Sequence, residues 1–128
     1  LGKEVKLVKS LDELKASKSL TMLENIRSFE GEKNNNEEFS KKLGQLGEIF
    51  VMDAFGTAHR KQASTYGIVN FIKEACFGLL IEEEMDALEK IVLNPAKPLL
   101  GIIGGSKIST KINVIESLTN HCDWLIFG

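Results

Sequence analysis

Two short apolar runs, each followed at once by a glycine-containing turn, constrain the fold of this chain most. Ile49–Met52 is followed by a turn that contains Gly56, and Leu99–Ile103 is followed by Gly104 and Gly105. Runs of this length are typical of strands buried on both faces of a parallel sheet. Helical patterns lie between them, and strands that alternate with helices predict an α/β fold.

The remaining segments fit the same alternation of strands and helices. Glycine, proline and runs of polar residues separate them, and Ala75–Ile81 is left unassigned between strand and helix. The other predicted segments are a strand at 3–9, a turn of helix capped by Ser10, a strand at 20–23, a loop at 30–36, a helix lined by Phe39, Leu43 and Leu46 and ended by Gly47, a helical face of Ile68, Phe71 and Ile72, a helix over 82–94, a helix lined by Ile108, Ile112, Ile115 and Leu118, and a strand at 123–127.

The composition permits one small domain or parts of two. Of the 128 residues, 43% are apolar and 27% are charged, which is ordinary for a globular protein. The net charge of −2 gives no general attraction to nucleic acid or to an anionic membrane, so an anion site has to be local. No apolar run approaches the roughly 20 residues of a membrane-spanning helix. Cys76 and Cys122 lie among apolar residues without metal-ligand spacing, which predicts buried, reduced thiols in a cytosolic protein.

Arginine is used at only two positions. The chain has fourteen lysines but only two arginines, Arg27 and Arg60, and each follows a predicted strand. A guanidinium binds carboxylate or phosphate through two parallel hydrogen bonds, which an ammonium cannot do. Ligands of α/β proteins bind beyond the carboxyl ends of parallel strands. The triplet His59-Arg60-Lys61 is therefore predicted to bind an anionic small molecule, and a solvated helix start is the alternative.

A second candidate anion site lies in Gly104–Lys111. Lys107 and Lys111 are four residues apart in the first turns of a predicted helix, where the positive end of the helix dipole disfavours cations. A bound phosphate would offset both charges, and the two glycines would let backbone N–H groups approach it. The pattern is neither a P-loop nor a dinucleotide fingerprint. A glycine turn with two solvated lysines is the alternative.

Three motifs resemble those of the phosphoglycerate kinase family. They are Met22–Arg27, Val51–Arg60 together with Ala63–Thr65, and Gly104–Lys111. They occur in the family's order and at its spacing, and the likeness extends over essentially all 128 residues. Met52 and the pattern Ser-Lys-x-Ser-Thr-Lys are closer to the bacterial members than to the animal ones.

The resemblance implies two Rossmann-like lobes of parallel sheets and flanking helices, joined by a helix, with this chain as an internal fragment. Residues 1–81 would be the carboxyl part of the substrate lobe, 82–97 the interlobe connector helix and 98–128 the start of the nucleotide lobe. The implied reaction is reversible phosphoryl transfer between 1,3-bisphosphoglycerate and ADP, which gives 3-phosphoglycerate and ATP in glycolysis. Mg²⁺ would enter as Mg-ADP or Mg-ATP. The implied parent is a cytoplasmic monomer that binds neither nucleic acid nor membrane.

The resemblance also assigns roles to residues of the three motifs. Transfer between in-line oxygens needs positioning and neutralisation of charge, which arginines, lysines and Mg²⁺ supply. Arg27 and Lys107 would be catalytic, and no protein ligand for the metal is expected. The substrate-binding residues would be Arg27, His59 and Arg60, and the nucleotide-binding residues would be Gly105, Ser106, Lys107 and Lys111.

The chain departs from the family in one residue and in its length. The family usually has phenylalanine directly after the arginine of the first motif, whereas here Ser28 takes that place and Phe29 follows. A chain that corresponds only to the middle of the family's sequence is expected to expose sheet edges and apolar faces, and to be inactive and poorly stable alone. The alternatives are a non-catalytic nucleotide- or anion-binding α/β module and a structural or interaction domain. A nicotinamide-dependent dehydrogenase is disfavoured because its fingerprint is absent.

Overall fold

The computed structural model describes residues 2–105 and 111–128. Within these residues short strands alternate with helices. In chain order the elements are β1 (Lys6–Val8), α1 (Leu11–Ala16), β2 (Thr21–Leu23), a first 3₁₀ helix (Ile26–Ser28), α2 (Glu37–Gly44), β3 (Ile49–Met52), α3 (Phe55–Ala58), a second 3₁₀ helix (Gly67–Phe71), β4 (Glu74–Phe77), α4 (Leu79–Leu93), β5 (Leu100–Ile103), α5 (Ile112–Thr119) and β6 (Trp124–Phe127).

The described strands pair in three parallel ladders. β1 pairs with β2, β3 with β4, and β5 with β6. Ile49 stands opposite Glu74 in the second ladder, and Leu100 stands opposite Trp124 in the third. Parallel pairing needs a crossover between the two strands, and α1 provides it for the first ladder. The predicted α/β class, with parallel strands and flanking helices, is confirmed.

Side-chain caps explain where two of the helices begin. The hydroxyl of Ser10 accepts a hydrogen bond from the N–H of Glu13 at 3.2 Å, as the sequence predicted for α1. The asparagine run of the predicted loop ends in Asn36, whose side-chain oxygen accepts from the N–H of Phe39 at 2.9 Å and caps α2. Asn35 has a φ of 52°, a left-handed conformation that asparagine tolerates.

The structure divides into two compact units, Leu1–Glu82 and Glu83–Gly128. The first unit contains a buried apolar cluster formed by α2 and the segment around the second 3₁₀ helix. α2 packs so closely that a Cβ on Gly44 would lie 2.6 Å from the carbonyl oxygen of Phe71. The members of the cluster are Phe39, Leu43, Ala63 and Ile68, and Leu11, Ile26, Phe29, Leu46 and Phe50 pack against it.

Three helical segments differ from the sequence predictions. α2 ends at Gly44 rather than at Gly47. The face of Ile68 and Phe71 belongs to a 3₁₀ helix. The unassigned segment forms β4 and the first turn of α4, which therefore begins before Glu82. Long-range contacts cause this earlier start, because the carboxylate of Asp53 accepts a hydrogen bond from the N–H of Ile81 at 3.1 Å.

Apolar faces are exposed in both units. Ile49 and Val51 are 59% and 53% exposed, so the prediction that β3 is buried on both faces is wrong for this structure. Cys76 in β4 is exposed rather than buried, although both thiols are free. Among the described residues of the second unit none is buried, and Trp124 is 69% exposed. These exposed faces agree with the expectation for a partial chain.

Among the described residues, no helix combines the length and the apolar character that crossing a membrane requires.

Candidate functional site

Arg27 lies in the first 3₁₀ helix, directly after β2. Asn25 begins this helix, and its side-chain oxygen accepts a hydrogen bond from the N–H of Arg27 at 3.2 Å. The preceding residue along the helix, Ile26, packs against the buried cluster. The Arg27 side chain itself is exposed. The backbone of Arg27 is thus held in place while its guanidinium faces solvent.

Phe29, and not Ser28, supplies an aromatic side chain close after Arg27. The Phe29 ring packs against the buried cluster and stacks on Phe39, with the ring centroids 5.7 Å apart. Ser28 uses its hydroxyl to donate to the carbonyl of Asn25 at 2.8 Å. The aromatic ring that packs into the cluster at this turn therefore comes from the residue after Ser28.

His59 and Arg60 lie directly after α3, and both side chains are exposed. The Arg60 N–H donates to the carbonyl of Thr57 at 3.0 Å. In turn, the Arg60 carbonyl accepts from the hydroxyl of Thr65 at 2.6 Å and from the N–H of Gln62 at 3.1 Å. Three hydrogen bonds thus fix the backbone from which the Arg60 side chain extends.

Lys61 differs from the two residues before it. Its ammonium lies 4.9 Å from the centroid of the Tyr66 ring, a cation–π distance. The basic triplet therefore divides into His59 and Arg60, which face solvent, and Lys61, which contacts an aromatic side chain.

Glu32 joins the segment of Arg27 to the segment of Arg60. One carboxylate oxygen accepts from the hydroxyl of Ser64 at 2.6 Å, and the other accepts from the Ser64 N–H at 3.0 Å. The Glu32 carbonyl also accepts from the N–H of Ala63 at 3.0 Å. The residue is 1% exposed, and these donors satisfy a carboxylate whose burial would otherwise be costly.

Glu32 could not be identified from the sequence. It lies in a polar loop among other acidic and amide residues, and no local pattern distinguishes it from its exposed neighbour Glu30. Its partner Ser64 is 32 positions away along the chain, so only the folded structure reveals the contact.

The two arginines give this site a positive charge that no described carboxylate of the protein neutralises. Across residues 2–105 and 111–128, the ion pairs involve only lysines as cations, so neither Arg27 nor Arg60 has a carboxylate partner. An exposed guanidinium with no protein partner can bind a carboxylate or a phosphate through two hydrogen bonds. The structure brings the segments of both arginines together through Glu32 and leaves their side chains available to such a ligand.

The second candidate site follows β5. Gly105 has a φ of +112°, and a Cβ there would lie 2.6 Å from the Lys111 ammonium nitrogen. That ammonium donates to the carbonyl of Gly104, and Lys111 is the residue before α5. The structure thus brings Gly105 and Lys111 together at the carboxyl end of a parallel strand. Ser106 and Lys107, which the sequence also assigns to this site, lie outside the described residues.

An acidic contact anchors the opposite end of β5. The Asp123 carboxylate accepts from the Leu99 N–H at 2.7 Å and lies 3.1 Å from the Lys97 ammonium. These contacts, chiefly the backbone hydrogen bond from Leu99 and then the bond from Lys97, hold the pKa of Asp123 below its ordinary value. Asp123 therefore stabilises the start of β5 and is remote from Gly104 along that strand.

Comparison with known proteins links both sites to one family. The family model described as phosphoglycerate kinase matches residues 1–128. A phosphoglycerate kinase of Desulfovibrio desulfuricans is 49% identical over 129 residues, which cover 100% of this chain and 33% of the relative. The chain thus spans about a third of that relative's length.

Solved structures give the same result. The phosphoglycerate kinase of Coxiella burnetii matches with a TM-score of 0.79 and 45% identity, over 96% of this chain and 33% of its own. The enzyme of Pyrococcus horikoshii OT3 also has a TM-score of 0.79, at 26% identity, over 97% of this chain and 35% of its own.

Proposed function

Because the chain belongs to the phosphoglycerate kinase family, we propose that it is part of an enzyme that transfers a phosphoryl group reversibly between 1,3-bisphosphoglycerate and ADP, giving 3-phosphoglycerate and ATP. The observation that carries the proposal is the match of that family over residues 1–128, which include both candidate anion sites. The complete enzyme is proposed to be a cytoplasmic, monomeric, glycolytic phosphotransferase with a carboxyl group as acceptor.

On the substrate side, Arg27, His59 and Arg60 bind phosphoglycerate in this proposal. Arg27 lies in the 3₁₀ helix after β2 and Arg60 follows α3 after β3, and their exposed guanidinium groups suit an anion that carries a carboxylate and a phosphate. Arg27 is proposed to act in catalysis as well, by neutralising charge that develops on the transferring group.

On the nucleotide side, Gly105 and Lys111 contact phosphates in this proposal, together with Ser106 and Lys107. The left-handed backbone at Gly105 and the nearby Lys111 ammonium support the first pair. Lys107 is proposed as the second catalytic residue, on the sequence motif alone. Mg²⁺ belongs to the nucleotide substrate as Mg-ADP or Mg-ATP, and no ligand from this chain is proposed for it.

The domain boundaries of the proposal are residues 1–81 for the substrate lobe, 82–97 for the connector and 98–128 for the start of the nucleotide lobe. Two observations support them. The compact units meet between Glu82 and Glu83, one position from the proposed boundary. α4, Leu79–Leu93, contains that position and covers most of the proposed connector.

A coupled assay tests the proposed function. The complete protein that contains this chain should form ATP from ADP and 1,3-bisphosphoglycerate, whereas the isolated 128 residues should give no turnover. Binding of phosphoglycerate or Mg-ATP by the complete protein without turnover would favour the alternative, a non-catalytic binding module.

A further inference from the structure

We propose that Glu32 is a positioning residue for the phosphoglycerate site, which it serves by setting the segment of Arg27 against the segment of Arg60. The inference rests on the proposed function, because it assumes that both arginines bind one substrate. Glu32 touches neither arginine side chain in the contacts described above, so it acts through the backbone that carries them.

The burial of Glu32 requires an explanation. At 1% exposure it is the largest fully buried side chain in the described part of the protein. A buried carboxylate is usually paired with a cation. Here the described ion pairs do not include Glu32, and its side-chain partners are the hydroxyl and the N–H of Ser64. Both carboxylate oxygens thus accept hydrogen bonds from the same residue, Ser64.

The connection from Ser64 to Arg60 is short. Ser64 is followed by Thr65, whose hydroxyl donates to the Arg60 carbonyl at 2.6 Å. Ser64 is preceded by Ala63, which is 0% exposed and donates its N–H to the Glu32 carbonyl. A shift of Ser64 would therefore move the contact that holds the Arg60 backbone.

The connection from Glu32 to Arg27 is also short. The Glu32 N–H donates to the carbonyl of Phe29 at 3.4 Å, and the Phe29 N–H donates to the carbonyl of Ile26 at 3.2 Å. Ile26 and Phe29 belong to or adjoin the 3₁₀ helix that carries Arg27. Glu32 is thus tied to both arginine segments by hydrogen bonds on each side.

Substitution in the complete kinase tests the inference. Glu32→Gln keeps the shape of the side chain but replaces one acceptor oxygen with a donor, and Ser64→Ala removes only the hydroxyl. Because a hydrogen bond to a charged group is lost, we expect about a tenfold rise in the KM for 3-phosphoglycerate with Glu32→Gln and a smaller rise with Ser64→Ala. The KM for Mg-ATP should be unchanged, and Glu30→Gln, an exposed neighbour in the same loop, is the matched control.

Several readouts separate positioning from stability. A merely structural role would lower the unfolding temperature and leave the KM of the folded enzyme at its wild-type value, and that result would overturn the inference. The double variant should raise the KM no more than the larger single change, because both remove the same interaction, and fully additive effects would contradict it. If Glu32→Gln does not fold, the KM of Ser64→Ala for 3-phosphoglycerate decides instead: a rise supports the inference, and a wild-type value overturns it. A wild-type protein without turnover would refute the proposed function itself.

Discussion

The carboxylate of Glu32 accepts a hydrogen bond of 2.6 Å from the hydroxyl of Ser64, across 32 positions of the chain. This contact fastens the loop after the first 3₁₀ helix to the loop after α3. Arg27 lies in that 3₁₀ helix and Arg60 lies in the loop after α3; both side chains are exposed, and the backbone of each residue is hydrogen-bonded locally. The candidate phosphoglycerate site is therefore built on two short segments that depend on each other for their placement.

Arg60 should be irreplaceable by lysine. Arg60→Lys retains the charge but loses the planar fork, and we expect the KM for 3-phosphoglycerate of the complete kinase to rise about tenfold or more. The matched control is Lys61→Ala, because the ammonium of Lys61 contacts Tyr66. Steady-state kinetics should show less than about a twofold change for this control, as expected for an exposed cation. A wild-type KM for Arg60→Lys would mean that general positive charge, and not arginine geometry, serves the site.

Gly105 should tolerate no side chain. Gly105→Ala would place a Cβ on a backbone with a φ of +112°, which strains a residue with a side chain, and 2.6 Å from the Lys111 ammonium nitrogen, which would have to move away. Strain of this kind costs on the order of 1–3 kcal/mol, and we expect weaker binding of Mg-ATP, measured by titration calorimetry. Gly104→Ala is the control, because a Cβ there has no atom within 4 Å. Equal affinities for the two variants would remove Gly105 from the proposed nucleotide site.

Gly44 should be required for packing. Gly44→Ala would bring a Cβ to 2.6 Å from the Phe71 carbonyl oxygen, between α2 and the second 3₁₀ helix. Overpacking of a core by one methyl group costs about 1–3 kcal/mol, which urea denaturation of the complete kinase would detect. At Gly47 the nearest atom to a Cβ is 3.7 Å away, so Gly47→Ala should be tolerated. Similar midpoints for both variants would show that the contact relaxes without cost.

Asp123 should make the stability of the fold depend on pH in the acid range. Its pKa is lowered in the folded chain from the ordinary value of 3.8. The ionised form is therefore favoured by folding, so its contribution is complete above the unfolded pKa and is lost as pH falls through the folded pKa. Asp123→Asn should flatten the fall of the urea midpoint that begins about one unit above that ordinary pKa and continues as pH falls through the lower folded pKa.

Lys97→Ala separates the causes of that shift. The backbone hydrogen bond from Leu99 is the main cause and the bond from Lys97 is the next. The variant should therefore keep most of the pH dependence. Complete loss with Lys97→Ala would mean that the ion pair dominates.

The strands and caps of the fold could be predicted because their causes are local. Ile49–Met52 is a run with the length and composition of a strand, and it forms β3. Ser10 and Glu13, three positions apart, form a capping pattern, and it begins α1. The positions of Arg27 and Arg60 after strands could also be predicted, because each follows an apolar run closely in the sequence.

The remaining features depend on partners that are distant in sequence. α4 begins at Leu79 because the carboxylate of Asp53, 28 positions earlier, accepts from the N–H of Ile81. The buried state of Glu32 depends on Ser64 in the same way. The exposure of Cys76 follows from the absence of a covering layer over β4 in the described residues. Local pattern carries no information on any of these contacts.

Two calorimetric titrations test the central claim most directly. The complete kinase is titrated with 3-phosphoglycerate alone and with Mg-ATP alone, as wild type, Arg60→Ala and Lys111→Ala. We expect Arg60→Ala to weaken 3-phosphoglycerate binding about tenfold or more and to leave Mg-ATP binding unchanged, and Lys111→Ala to do the reverse. Wild-type affinities of both variants for both ligands would contradict the account, because the two clusters of positive charge would then bind neither substrate.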